Sequence, residues 1–186
     1  MSLKGLNPIA SLFISVRASE VRQQAGRTHG NAGEILPLCV AAVIDAFDVG
    51  AGIVNVLAQV ALTTHARACI GVEIREDLCG VGDRCFQCHT SQYPQLVNVN
   101  LRCMDIRDAA MSSQLPTRDA TAIFANTFLF EESAKLVIAR ELRAMAKARA
   151  VASTSSFIPR HHASCSQPFC QTWKLKRYVM VSCNWK

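Results

Sequence analysis

Apolar residues in this chain fall into short blocks, each closed by an acid or a glycine, with helix-length stretches between them. Val40–Phe47 is the first strong block and ends at Asp48. Ile53–Leu62 then has the apolar density of a helix, and Ala68–Glu73 reads as a buried strand. Arg75–Cys79 starts a helix that Gly80 and Gly82 interrupt, and Asp83–Pro94 is polar and loop-like. Val97–Asp105 alternates toward another acid, and Thr121–Ala125 predicts a short buried strand. Glu131–Lys147 is the clearest helix: Leu136, Val137, Ala139, Leu142 and Met145 form an apolar stripe, with acids at its start and bases near its end. Ala148–Ser153 and Trp173–Ser182 read as strands on either side of a Ser/His-rich loop, Ser153–Ser166. Strands alternating with helices predict an α/β domain with a largely parallel sheet.

One stretch supports two readings. Leu36, Val40, Val43 and Ile44 fit one helix face, with Pro37 tolerable in the first turn. A strand should nevertheless precede the glycine turn, and Val40–Phe47 would have to supply it. Both assignments remain open at the level of sequence.

The candidate chemistry lies in Phe47-Asp48-Val49-Gly50-Ala51-Gly52 and in Glu73, at the end of the next apolar run. An apolar strand, a Gly-x-Gly turn, a helix and a second strand closed by an acid form a nucleotide-type binding crossover. The glycines let backbone approach the ligand, and the second acid meets ribose hydroxyls. Asp48 stands before the glycines, which suits a cationic, phosphate-free cofactor such as S-adenosylmethionine. Acids recur at the ends of predicted strands: Asp48, Glu73 and Asp105. The ordinary preference of Asp for turns explains one such acid easily and three less easily.

Composition narrows the picture. The chain has 186 residues, 50% of them apolar, enough for one domain with its own core. No run of eighteen apolar residues occurs, so no membrane span is expected. Residues 1–30 read as a basic, disordered arm and residues 31–186 as the domain. Residues 1–134 hold ten Lys/Arg against thirteen Asp/Glu, whereas residues 135–186 hold ten Lys/Arg against Glu141 alone. Such a basic C-terminal region suits a polyanionic partner such as nucleic acid or a nucleosome, by non-specific contacts. A solvated basic helix face and strand explain it equally well. The nine cysteines are scattered and odd in number, as expected of free thiols in a reducing compartment. Cys85-Phe86-Gln87-Cys88-His89 has haem-attachment and zinc-ligand spacing, with Cys79 or His161, His162, Cys165 and Cys170 as further candidates. The tight pair falls short of four ligands, so chance spacing in a loop, with no metal, is the expectation.

From Gly33 to Pro159 the chain resembles the disruptor-of-telomeric-silencing (Dot-one) family, most closely its short protozoan-type members. The resemblance is carried by Gly33-Glu34, Asp48–Val56, Gly71-Val72-Glu73 and Met104-Asp105. It is carried above all by Ile123-Phe124-Ala125-Asn126-Thr127-Phe128-Leu129-Phe130, and it continues through Ala150–Phe157. These proteins are histone H3 lysine methyltransferases built on the class I, Rossmann-like S-adenosylmethionine-dependent fold and not on the SET fold. The resemblance implies that Asp48, Gly50, Gly52 and Asn55 line the methionine part of the cofactor, that Glu73 binds the ribose and that Asp105 binds the adenine amine. It implies that Asn126 stands between cofactor and target, that Phe124, Phe128 and Phe130 shape a lysine channel, and that Gly33 and Glu34 belong to a closing loop. It also implies a nuclear protein acting on histone H3 in the nucleosome.

The chain departs from the family pattern at four places. About ten residues, a loop and a strand in length, are missing before Phe47-Asp48. Val54 replaces a small residue, with crowding of the cofactor or a turn held open as the expected result. Ala32 replaces a tyrosine, and the final strand that would carry an aromatic is not reached. A sheet incomplete at its first and last strands is therefore expected. A catalytically inactive, nucleosome-binding relative is the alternative function, and methylation of a small molecule is a third.

Overall fold

A computed structural model describes residues 11–17, 20, 46–64, 66–157 and 165–175. Five strands form one parallel sheet: β1 (Ala46–Val49), β2 (Cys69–Glu73), β3 (Val99–Cys103), β4 (Ala122–Ala125) and β5 (Ala150–Ser153), in the order β3-β2-β1-β4-β5. Among the described residues the α-helices α1 (Asn55–Thr63), α2 (Glu76–His89), α3 (Glu132–Ala144) and the short α4 (Pro168–Thr172) accompany them.

The central strand is β1. It pairs with β2 through Asp48↔Gly71 and with β4 through Asp48↔Phe124. The strand expected to be missing is thus present, formed by the residues that run straight into the glycine turn. Four residues suffice because neighbours on both sides satisfy the backbone and both faces are buried. The helix alternative over 33–45 lies outside the described residues.

Side chains alternate across the sheet with the period of two that a strand imposes. Phe47, Val49, Ile70, Val72, Ile123 and Ala125 point into one core, which also holds Met111, Ile138 and Leu142. Cys69, Ala122 and Phe124 point into the other, with Leu12, Val54, Leu57, Val60 and Phe86. The row Asp48–Gly71–Phe124 lies on this second face. A Cβ on Gly71 would come within 2.9 Å of both Ala51 and Leu57, so glycine here lets the turn and α1 close down beside Asp48.

The expected break at Gly80 and Gly82 does not occur: α2 runs unbroken to His89, with Glu76 and Asp77 in its first turn. A helical glycine costs about 1 kcal/mol relative to alanine. At Gly82 the cost has a purpose, because a Cβ would stand 2.5 Å from Val54 Cγ2. Gly80 has only Arg84 within ordinary contact, and packing gives it no comparable role. Cys85, Cys88 and His89 therefore lie on a helix instead of a loop, with Cys85 buried, Cys88 exposed and a His89 ring nitrogen 2.8 Å from the Cys85 carbonyl. Among the described residues no group of three or more His, Cys, Asp or Glu is placed to share a metal ion, and no helix is long and apolar enough to cross a membrane.

The strand expected from Trp173 onward is not seen in residues 173–175; residues 176–182 lie outside the described residues. α4 instead caps the first core, that of Ile138 and Leu142, with Phe169 edge-on to Phe157 at 5.3 Å and Trp173 Nε1 donating to the Leu142 carbonyl at 3.3 Å.

Candidate functional site

The chain leaves β1 toward β2 on one side and returns from β3 to β4 on the other. This reversal opens a crevice above the C-terminal ends of β1 and β4, where open parallel sheets bind ligands. Asp48, Glu73, Asp105 and Asn126 all reach this edge: the first two within β1 and β2, Asp105 two residues beyond β3, and Asn126 one residue beyond β4.

The turn between β1 and α1 depends on its glycines. Gly50 and Gly52 have φ of 77° and 55°, a region that side chains disfavour. The Gly50 and Ala51 N–H groups both donate to the Val72 carbonyl, which folds the turn onto β2. A Cβ on Gly50 would be 3.0 Å from the Asn126 carbonyl and 3.1 Å from the Phe130 ring, so the turn is roofed by the segment after β4. Beside Gly52 a Cβ would meet nothing within 4 Å. The space there is open, and the Gly52 N–H donates to Glu73 Oε2 at 2.9 Å. Val54 also adopts the left-handed conformation, at φ 67°, yet its side chain is fully buried in the core against Gly82. Its β-branched bulk is thus absorbed by α2. Asn55 opens α1 directly after it, with no side-chain cap on the helix.

The acids have unequal surroundings. Glu73 is held from two sides, by the Gly52 N–H and by the Arg75 N–H at 3.0 Å. Both oxygens of Asp105 are engaged by the Arg107 side chain and backbone, and Arg107 holds its carboxyl below the usual aspartate range. Asp48 is different. It is 1% exposed, and among the described residues neither of its oxygens has a hydrogen-bond partner. Burial, reinforced by the neighbouring Glu73 charge, pushes its pKa well above the ordinary value. Buried polar groups are almost always satisfied, and one left bare beneath a ligand-binding turn fits a ligand that brings donors or positive charge. The residues present therefore fit S-adenosylmethionine, whose methionine end carries an ammonium and a sulfonium.

The segment after β4 is fixed by hydroxyls that sequence reasoning overlooked. The Asn126 N–H donates to the Val49 carbonyl at 2.8 Å, tying it to β1. Its side-chain Oδ1 accepts from Thr154 Oγ1 at 3.1 Å, and Thr154 Oγ1 also accepts from the Phe128 N–H. Thr127, fully buried, lies within 3.0 Å of Ser153 Oγ and 2.9 Å of Ser155 Oγ. The run Ser153-Thr154-Ser155 directly after a predicted strand was the available signal. Phe128 is 61% exposed at the mouth, and Phe130 roofs Gly50. Phe124 is not brought to this rim as an open wall; its ring is buried in the core with Val54 and Leu57. Gly33 and Glu34 lie outside the described residues.

Two solved structures share the fold. They are the N-terminal domain of EvdMO1 with SAH bound (TM-score 0.51, 15% identity, 82% of this chain and 65% of that one) and cofactor-bound Rv0187 from MTB (TM-score 0.50, 10% identity, 80% and 62%). The chain thus spans slightly under two thirds of each. A comparison with curated proteins returned no match. The all-parallel sheet is the Rossmann-like, class I S-adenosylmethionine-dependent methyltransferase fold. Residues 18–180 match the family described as histone methylation protein DOT1, and the chain belongs to that family.

Proposed function

We propose that this chain transfers a methyl group from S-adenosylmethionine, the cofactor of its family, to a lysine amine in the core of histone H3, in the nucleus and on the nucleosome. The observation that carries the cofactor half of this reading is the bare carboxylate of Asp48 beneath Gly50 and Gly52. Family membership supports the substrate half.

In this reading Asp48, Gly50, Gly52 and Asn55 hold the methionine end, Glu73 the ribose hydroxyls and Asp105 the adenine amine. The bound cofactor supplies an electrophilic methyl on a sulfonium. The chain's own task is to deliver a neutral lysine amine, whose unperturbed pKa is about 10.4. Apolar aromatic walls favour the neutral amine by withholding solvation from the ammonium, and the exposed Phe128 ring is suited to that role. Asn126, clamped by its backbone to β1 and by its side chain to Thr154, keeps the reacting groups aligned. The basic excess of residues 135–186 suits the acidic surface of a nucleosome or its DNA.

The test combines titration calorimetry with S-adenosylhomocysteine and methyl transfer to nucleosomes, free H3 and small amines. Micromolar binding with transfer to H3 is expected. Binding with transfer only to small amines would remove the histone substrate. Nucleosome binding without cofactor binding at millimolar concentration would identify a non-catalytic relative instead.

A further inference from the structure

Both oxygens of Asp105 are held by its own neighbour. The Arg107 N–H donates to Oδ1 at 2.8 Å, Arg107 Nε lies 3.0 Å from Oδ1 and 2.9 Å from Oδ2, and a guanidinium Nη2 reaches Oδ2 as well. An ionised carboxylate has about four acceptor sites; the Arg107 backbone N–H, its Nε–H shared between both oxygens and one Nη2–H take three of them and engage both oxygens. The fork also stretches toward the start of α3, where Nη1 is 3.6 Å from Glu131, with Asp108 adding attraction from the same turn. The Arg107 side chain is 45% exposed and free to change seat.

Asp105 sits at the outer end of the acid row, on the β3 side of Glu73. A nucleoside running along the sheet edge from Gly52 past Glu73 brings the exocyclic amine of its base to this carboxylate. That amine meets a carboxylate whose two oxygens are both engaged while the guanidinium is seated.

We propose that Arg107 sets affinity and base selectivity at the cofactor site: it competes with the exocyclic amine for Asp105, and swings to Glu131 when the base enters. This inference rests on the cofactor reading above. The backbone N–H contact to Asp105 stays in place during the exchange, and only the guanidinium moves. Because an exposed ion pair is a weak competitor, its removal changes affinity modestly, by about two- to fivefold.

The test measures dissociation constants of S-adenosylhomocysteine and its 6-oxo analogue S-inosylhomocysteine, which lacks the exocyclic amine, for wild type, Arg107→Leu and Arg107→Lys. Arg107→Leu should bind S-adenosylhomocysteine about two- to fivefold more tightly, with no matching gain for the inosine analogue. Arg107→Lys should show a smaller gain, since an ammonium cannot fork across both oxygens. If Arg107→Leu does not fold, the lysine variant decides alone. Unchanged or weaker adenosine-ligand binding, or equal shifts for both ligands, overturns the proposal while leaving the cofactor site intact. Absence of binding to every protein, wild type included, overturns both.

Discussion

Val54 and Gly82 form a matched pair, and their exchange tests whether the strained turn and α2 were shaped for each other. Val54 holds a left-handed conformation that costs a β-branched residue about 1–2 kcal/mol. Its burial returns about 1.5–3 kcal/mol, because the side chain is fully enclosed. Replacing it by glycine relieves the strain but loses that burial and adds about 0.5–1 kcal/mol of chain entropy. Val54→Gly should therefore destabilise by about 1–2 kcal/mol. Gly82→Ala should gain about 1 kcal/mol of helix propensity. In the wild-type background it places a methyl 2.5 Å from Val54 Cγ2 and 3.3 Å from the Ile53 carbonyl. The buried valine has no flexible end to yield, so overpacking of about 1–3 kcal/mol prevails. With Val54 gone, the same methyl enters vacated space and the helix gain survives. The sign of Gly82→Ala thus reverses between backgrounds, a coupling of about 1–3 kcal/mol. Urea unfolding of the four proteins, followed by circular dichroism, measures it. Additivity within about 0.5 kcal/mol would refute the packing argument.

Two further outcomes follow from the site. Because the folded pKa of Asp48 is raised, wild-type stability should fall as pH climbs from about 4, where the unfolded carboxyl titrates, through the folded pKa, and then level off. Asp48→Asn should remove this slope, gain about 1–3 kcal/mol at pH 8 and lose S-adenosylhomocysteine binding; parallel melting curves for the two proteins between pH 4.5 and 8 would contradict it. Thr127→Val should cost about 1–2 kcal/mol in chemical unfolding by deleting the hydroxyl that joins Ser153 and Ser155, and an unchanged midpoint would show those contacts to be idle.

Strand and helix identities were legible because each side chain reports its own burial. Glu131–Lys147 was read from its stripe and observed as Glu132–Ala144, and Ala68–Glu73 as Cys69–Glu73. The Asp83–His89 part of Asp83–Pro94 was misread because its residues are polar and follow Gly80 and Gly82, which lower helical propensity. The outcome there turns on Gly82, whose missing side chain admits Val54 from another element. The apparent loss of the central strand came from counting length before the glycines. A strand flanked on both sides needs few residues, and its neighbours are distant in sequence.

The order of acids along the chain was enough to announce the cofactor turn, since Asp48, the glycines and Glu73 obey local spacing. Their electrostatic states were not local. Asp48 is bare and Asp105 engaged at both oxygens because of what burial removes from one and what Arg107 supplies to the other. Sequence determined which chemical groups reach the sheet edge, through strand period and turn conformation. Tertiary structure decided which of them remain available to a ligand, because desolvation and hydrogen-bond partners arise only when separate elements pack.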